Sequence, residues 1–357
     1  GEERLEEAVR SAALEAGTAA TQVHFGCDFH MIGDDAAGVC RRLREEGLRV
    51  ELMNPPLPRF TDESSSDWWK TVLTPACPPP ESREPFAVNL AGLAWPDDPC
   101  LAELSGLLGQ FGVSVRARFF PGGDGMRDHA RAAVTVASPW TPVARVLSPL
   151  LGERGFATIA PPAPYGPRGT QAWLEAVLAA VGAAAPDPGA CEAWIHEAFP
   201  QWRSLREAAG DFTVALVADF GTAGEMCGPA FFFGLDPTAF LLDLGFRVHV
   251  LGPGAAAARA GLPALPPEWL ERLSATELAL EEDPLEAVAG LGLRLVYCDA
   301  LLTLPLKERG LTPWSIDDLH PGLGGAEKSL RRLLSLARRR LYSDFGGHLK
   351  SPGGTGP

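Results

Sequence analysis

Long apolar runs are missing from this chain. None reaches the roughly 18 residues that a membrane-spanning helix needs, so no segment of it reads as a membrane span. Paired cysteines are missing too. Seven cysteines stand at positions 27, 40, 77, 100, 191, 227 and 298, scattered and without a C-x-x-C pair. That spacing argues against a disulfide framework and suits a reducing, cytoplasmic location. The histidines are equally scattered, which leaves no zinc-finger spacing. An excess of positive charge is absent: 31 Lys and Arg against 45 Asp and Glu give a net charge of −14. This argues against broad binding to nucleic acid or anionic membranes. The start, GEERLEEAVR, carries no initiator Met and has none of the basic and apolar regions of a signal peptide.

Apolar residues, by contrast, make up 46% of 357 residues, enough for real cores in two to three domains. The 39 Gly and 33 Pro are too many for a helical bundle and suit a fold with many tight loops. The hydrophobic pattern alternates between short β-rich runs and amphipathic helices. Residues 21–26 read as a strand and 34–46 as a helix, with Ala36, Val39, Cys40 and Leu43 on one face and Asp34 and Asp35 at its start. Gly47 closes that helix and a strand begins at Leu48, completing a βαβ unit. A Pro/Ser/Asp-rich stretch follows. A second alternation has strands at 86–93, 113–119, 133–137 and 157–160 and helices at 100–111, 142–153 and 170–181. One helix over 190–209, bearing Trp194 and Trp202, bridges to a third alternation. Its strands are at 212–218, 247–251 and 293–298. Its helices lie at 236–244 and 326–341, the latter turning Leu330, Leu333, Leu334, Ala337 and Leu341 inward.

The expected fold class is therefore α/β, with three Rossmann-like doubly wound domains, the first incomplete, around a central cleft. The expected limits are 1–60 for the rear part of the first domain, 61–84 for a linker and 85–189 for the second domain. The bridging helix takes 190–210, the third domain 211–345 and a mobile tail 346–357. Ligands in such sheets sit beyond the carboxyl ends of the strands, and two stretches there carry chemistry. The first is HFGCDFHMIGDD, residues 24–35, which gathers His24, Cys27, His30, Asp34 and Asp35 on one strand-to-helix turn. A thiolate there could bind a soft metal. A buried cysteine in a packed turn with helix-capping aspartates is the plainer reading. One cysteine cannot hold an iron–sulfur cluster, which needs about four ligands. The second is PPAPYGPRGT, residues 161–170. Gly166 and Gly169 allow close backbone approach, and Thr170 can cap the following helix. Trp140 and Tyr165 would suit stacking on a flat macrocycle, or else serve as core aromatics. Residues 221–228, GTAGEMCG, lack G-x-G-x-x-G and Walker spacing and do not read as a nucleotide site.

The order of these pieces resembles the component 1 family of nitrogenase and its relatives, which include cofactor-assembly scaffolds and light-independent protochlorophyllide and chlorophyllide reductases. GEERLEEAVRSA is similar to the family's G-G-E-E-x-L-x-x-A-I segment. CDFHMIGDDAAGV is similar to its Cys-x-x-x-x-I-G-D-D-I-x-x-V turn, in which the cysteine is a cluster ligand. FAVNLAGLAWPDD resembles the strand that opens the second domain, and PAPYGPRGTQAWLEAV resembles the P-x-P/V-G-x-x-G-T-x-A-W-L stretch, especially of the tetrapyrrole reductases. ADF…GLDPTAFLLDLGFRV and DDLHPGLGGAEKSLRRLL resemble third-domain pieces. The likeness runs through nearly all of residues 1–340.

That resemblance implies an oxidoreductase subunit and assigns Cys27 as a ligand of an iron–sulfur cluster of the 4Fe-4S type. The other ligands would come from a missing leading segment or from a paralogous component 1-type subunit in a heterodimer or heterotetramer. An ATP-dependent iron-protein reductase would supply single electrons. His24, His30 and Asp34 are candidate proton donors by position. Ser138, Trp140, Tyr165, Gly166, Gly169 and Thr170 are expected to line the substrate cleft. Nitrogenase proper places a cofactor cysteine near the end of the 133–137 strand, where this chain has Ala137 and Ser138. Its histidine ligand has no counterpart near the C-terminus. The resemblance therefore implies a tetrapyrrole rather than dinitrogen. The alternatives are a scaffold for nitrogenase cofactor assembly, or a small-molecule-binding module without a cluster.

Overall fold

Every strand pairing among the described residues is parallel. Alternating strands and helices dictate this, because a parallel neighbour is reached only through a crossover connection. The computed structural model describes residues 2–16, 21–24, 35–48, 50–53, 83–93, 99–119, 131–140, 148–218, 226–228, 234–260, 265–279, 282–297 and 303–345. The chain divides into two units, Gly1–Pro75 and Ala76–Pro357.

The first unit contains α1 (Glu2–Ala16), β1 (Thr21–His24), α2 (Ala36–Glu45) and β2 (Val50–Met53). β1 and β2 pair from Thr21↔Val50 to His24↔Met53. Asp35 caps α2 by accepting the Gly38 N–H at 2.8 Å. A Cβ at position 38 would collide with the Asp35 carboxylate as it caps the helix, so a larger residue there would displace the cap. Gly47, at φ +92°, reverses the chain, and the Leu48 N–H returns to the Leu43 carbonyl at 3.0 Å. Val39, Cys40 and Leu43 are buried as their spacing predicts, against Val9, Val23 and Val50. Arg10 bridges Glu6 (2.9 Å) and Glu46 (2.5 Å), tying the two helices at the surface.

The second unit holds two sheets. The first sheet comprises β3 (Glu84–Ala91), β4 (Ser114–Phe119), β5 (Ala132–Ala137) and β6 (Thr158–Ile159), in the order β4-β3-β5-β6. Its helices are α3 (Pro99–Gln110), α4 (Ser148–Glu153) and α5 (Gly166–Ala180). α6 (Ala190–Ala198) and α7 (Trp202–Ala209) then lead to the second sheet, in the order β11-β10-β7-β8-β9. This contains β7 (Thr213–Val217), α8 (Pro237–Asp243), β8 (Arg247–Gly252), α9 (Ala255–Ala260), α10 (Pro267–Leu270) and β9 (Leu273–Glu277). α11 (Pro284–Gly290), β10 (Leu295–Tyr297), α12 (Thr303–Glu308), β11 (Thr312–Trp314), α13 (Leu323–Ala337) and α14 (Leu341–Phe345) complete it.

Both sheets reverse strand order beside their first strand, between β3 and β5 and between β7 and β10, the crevice position of doubly wound folds. Their central strands are buried on both faces, which is why Val214–Val217 reads as an unbroken apolar run and Ala87–Ala91 as one interrupted only by Asn89, whose amide donates to Thr135 Oγ1 at 3.3 Å. One core joins the two layers. Trp173 on α5 and Trp202 on α7 are fully buried in it, beside Leu104 and Leu108 of α3 and Leu330 and Leu333 of α13.

Three expectations change. The single helix read over 190–209 is two helices, because Pro200 can donate no N–H and drives Phe199 out of helical geometry (φ −130°, ψ 84°). Leu341, read as the last inward residue of the final helix, is 57% exposed. α13 ends at Ala337, and Leu341 opens a new short helix out of register. The strands β9 and β11 escape the hydrophobic pattern. β9 (LSATE) is a half-polar edge, and β11 contains Pro313, which only an edge strand tolerates.

Candidate functional site

The site builds from the carboxyl end of β5. The Ser138 N–H donates to the Ala91 carbonyl at 2.8 Å, stitching the ends of β3 and β5 at the order-reversal point. Ser138 is fully buried, and its Oγ accepts the Trp140 N–H at 3.1 Å, which turns the chain out of the sheet. Trp140 itself is half-buried. Against this turn lies Gly234, at φ +79°, where a Cβ would sit 2.7 Å from Ser138 Oγ and from the Pro139 ring. So the end of a first-sheet strand meets the segment that enters α8 of the second sheet.

The 161–170 turn meets the same segment. Tyr165 is buried, with its ring edge-on to Phe240 of α8 at 5.4 Å between centroids. Gly166, at φ +71°, opens α5 against the Asp243 carboxylate, and a Cβ there would overlap Asp243 Oδ2. Gly169 passes the Ala163 carbonyl so closely that a Cβ would lie 3.0 Å from it. Thr170 is buried, and its hydroxyl donates to the Pro164 carbonyl at 3.3 Å rather than capping the helix by its first amides.

Buried acids mark the seam. Asp236 caps α8 by accepting the Ala239 N–H at 2.9 Å, yet burial pushes its carboxyl up to about 6. Asp243 accepts the Arg168 N–H at 3.3 Å and lies 4.0 Å from the Arg206 guanidinium. Burial outweighs those partners, and its carboxyl is also pushed up to about 6. Arg206 is shared with Glu192 at 2.7 Å, and Arg168 stacks over Trp269. Glu103 on α3 holds the first amides of α13, and burial pushes its carboxyl up. Residue patterns missed Glu103 and Asp243 because their partners lie 220 and 75 residues away. Asp236 could have been found, since Asp before Pro-Thr at a helix start is an N-cap signal.

Thus Ser138, Trp140, Tyr165, Gly166, Gly169 and Thr170 fall on two neighbouring turns that abut one helix. His24 ends β1, opposite Met53. Cys27, His30 and Asp34 lie outside the described residues, as do residues 141–147 and 219–225. Among the described residues no three His, Cys, Asp or Glu side chains gather as a metal site. The thiols of Cys40, Cys100, Cys191 and Cys227 are buried. Burial and nearby acids push Cys191 up to about 12, and burial pushes Cys227 up as well. None of these four suits a thiolate ligand. No described helix is long and apolar enough to cross a membrane.

Two doubly wound layers that meet at strand ends, with glycines pressed on the seam, define an α/β protein of paired Rossmann-like halves. Residues 1–264 match the sequence profile of the Nitrogenase component 1 type Oxidoreductase family, and the chain belongs to that family. The fold is similar to that of the solved structure "Nitrogenase Cp1 at pH 6.5", with TM-score 0.60 and 14% identity over 94% of this chain and 79% of that one. It is likewise similar to "Nitrogenase Cp1 at pH 5", with TM-score 0.62 and 14% identity over 96% of this chain and 75% of that one. At such identity the likeness is one of fold. Among curated proteins no sequence match was found.

Proposed function

We propose that this chain is a component 1-type subunit that receives electrons from an ATP-dependent iron-protein reductase and serves a substrate at the seam between its two sheets, and that this substrate is a tetrapyrrole. One observation carries the reading: within a chain of this family, the Ser138–Trp140 turn and the 161–170 turn converge on the same Gly234–Asp243 segment. In this reading Trp140 offers its half-buried ring to a flat macrocycle. Ser138 fixes that ring's turn, and Tyr165, Gly166, Gly169 and Thr170 form the wall. Ala137 and Ser138, in place of a cofactor cysteine, support the choice of a tetrapyrrole over dinitrogen. His24, His30 and Asp34 are the proposed proton donors. The domain limits given above belong to the same proposal.

The described thiols do not fit a cluster. An iron–sulfur cluster of the 4Fe-4S type would need Cys27 together with ligands from a further segment or from a paralogous subunit. The same buried thiols favour a second reading, a cluster-less small-molecule-binding module, with a cofactor-assembly scaffold as the variant that keeps the metal. Anaerobic purification of the complete gene product separates them. A brown protein with a reducible iron–sulfur EPR signal supports a cluster, and a colourless one the binding module. Turnover of a tetrapyrrole with the reductase supports catalysis over scaffolding. Cys27→Ser should lower iron per chain, and unchanged iron would sink that assignment.

A further inference from the structure

Glu103 stands on the first-sheet helix α3, between buried Leu101 and Leu104, yet its carboxylate bonds to another layer. Oε1 accepts the Leu323 N–H at 2.6 Å, and the Gly324 N–H reaches Oε2 at 3.1 Å and Oε1 at 3.3 Å. These are the opening amides of α13, a 15-residue helix of the second sheet. Its N-cap is Gly322, which has no side chain to satisfy them. A carboxylate from 220 residues away therefore does what a local cap would do, and its charge suits the positive end of the helix.

The turn is shaped to admit it. Gly322 has φ +83°, and a Cβ there would lie 2.8 Å from Glu103 Oε2; at Gly324 the distance would be 3.2 Å. The same turn grips the candidate site. The Gly322 N–H donates to the Pro164 carbonyl at 2.7 Å, and Tyr165 forms a parallel bridge with Gly322. The Pro164 carbonyl is also the acceptor of the Thr170 hydroxyl, at 3.3 Å. The path runs without a break from Glu103 to the α13 amides, to Gly322, to Pro164 and to Thr170.

We propose that Glu103 is a positioning residue: by closing the first turn of α13 from the opposite layer, it sets the Pro164–Thr170 turn against α8. Its functional meaning rests on the reading of that turn as the wall of the substrate site, whereas the coupling itself does not. Hydrogen exchange followed by mass spectrometry on the complete chain tests it with wild type, Glu103→Ala and Glu103→Gln. Glu103→Ala should speed exchange of the 322–325 amides about tenfold, the scale of a lost cap. Peptides covering 163–172 should speed up with them, while β7 and β8 keep their protection. Glu103→Gln, which retains an acceptor oxygen, should restore most of the protection at both places. The role is overturned if 163–172 stays at the wild-type rate in Glu103→Ala, or if β7 and β8 lose protection equally. Exchange is read without substrate, so that failure removes the positioning role alone. Failure of wild type to bind a porphyrin would remove the substrate reading alone.

Discussion

Replacing Gly166 by Ala should be one of the most costly single-methyl changes in the second unit. Two effects add. The residue sits at φ +71°, where an L side chain costs roughly 1–2 kcal/mol. The new Cβ would also overlap Asp243 Oδ2, with Phe240 Cδ2 at 3.3 Å and the Asp243 Cγ at 3.4 Å. Asp243 cannot swing aside cheaply. It is 5% exposed, on a helix whose Phe240, Leu241 and Leu242 are all buried. Overpacking of this kind costs about 1–3 kcal/mol, for a total of about 2–5 kcal/mol. Asp243→Ala removes the obstructing oxygens while leaving φ untouched. In that background Gly166→Ala should cost only the conformational part, about 1–2 kcal/mol. Urea unfolding of the four proteins of this cycle, followed by the fluorescence of the nine tryptophans, gives each difference. Equal costs of Gly166→Ala in both backgrounds would refute the overlap. A cost below about 0.5 kcal/mol in wild type would refute the backbone geometry as well.

The buried acids set a pH dependence whose sign is fixed by burial. Asp243 is pushed from 3.8 to about 6 on folding, so the stability it contributes is complete below pH 4 and is lost as pH rises through 6. Of a total of about 3 kcal/mol, roughly half falls between pH 5 and pH 7.5. Asp243→Asn should flatten the stability-versus-pH slope by that amount, measured by urea midpoints at the two values, and an unchanged slope would contradict the assignment. Cys191, pushed up to about 12 and fully buried, should resist iodoacetamide at pH 8 in the native protein and react once unfolded. Native alkylation at the rate of a free thiol, seen by peptide mass spectrometry, would show that its packing is wrong. Truncating Trp202, fully buried where α7 begins, to Ala should cost about 3–5 kcal/mol by the same urea assay. A loss under 1 kcal/mol would contradict its place in the shared core.

Much of the architecture is legible because its signals are local. The stripe of Leu101, Leu104, Leu107 and Leu108 announces α3, and all four are buried. Asp35 and Gly47 mark the ends of α2 through bonds that span three to five residues. The apolar run of β7, and that of β3 around a single Asn89, announce strands covered on both faces. Short edge strands such as β11 give no such signal, since three residues carry no period and Pro313 argues against a strand. Of the candidate site, the turns at 138–140 and 161–170 could be placed beyond strand ends, but not what they touch.

The sequence by itself determined the alternation of strands and helices, the break at Gly47, the acidic net charge and the family's order of motifs. Each of these depends on residues within a few positions of one another, or on composition. Only the tertiary structure decided the strand orders, the meeting of Ser138 with Gly234, the pressing of Gly166 on Asp243 and the closing of α13 by Glu103. Those contacts join residues 77 to 220 positions apart. They form because two sheets that must each bury both faces share one core, and no local period encodes which side chains that shared burial brings together.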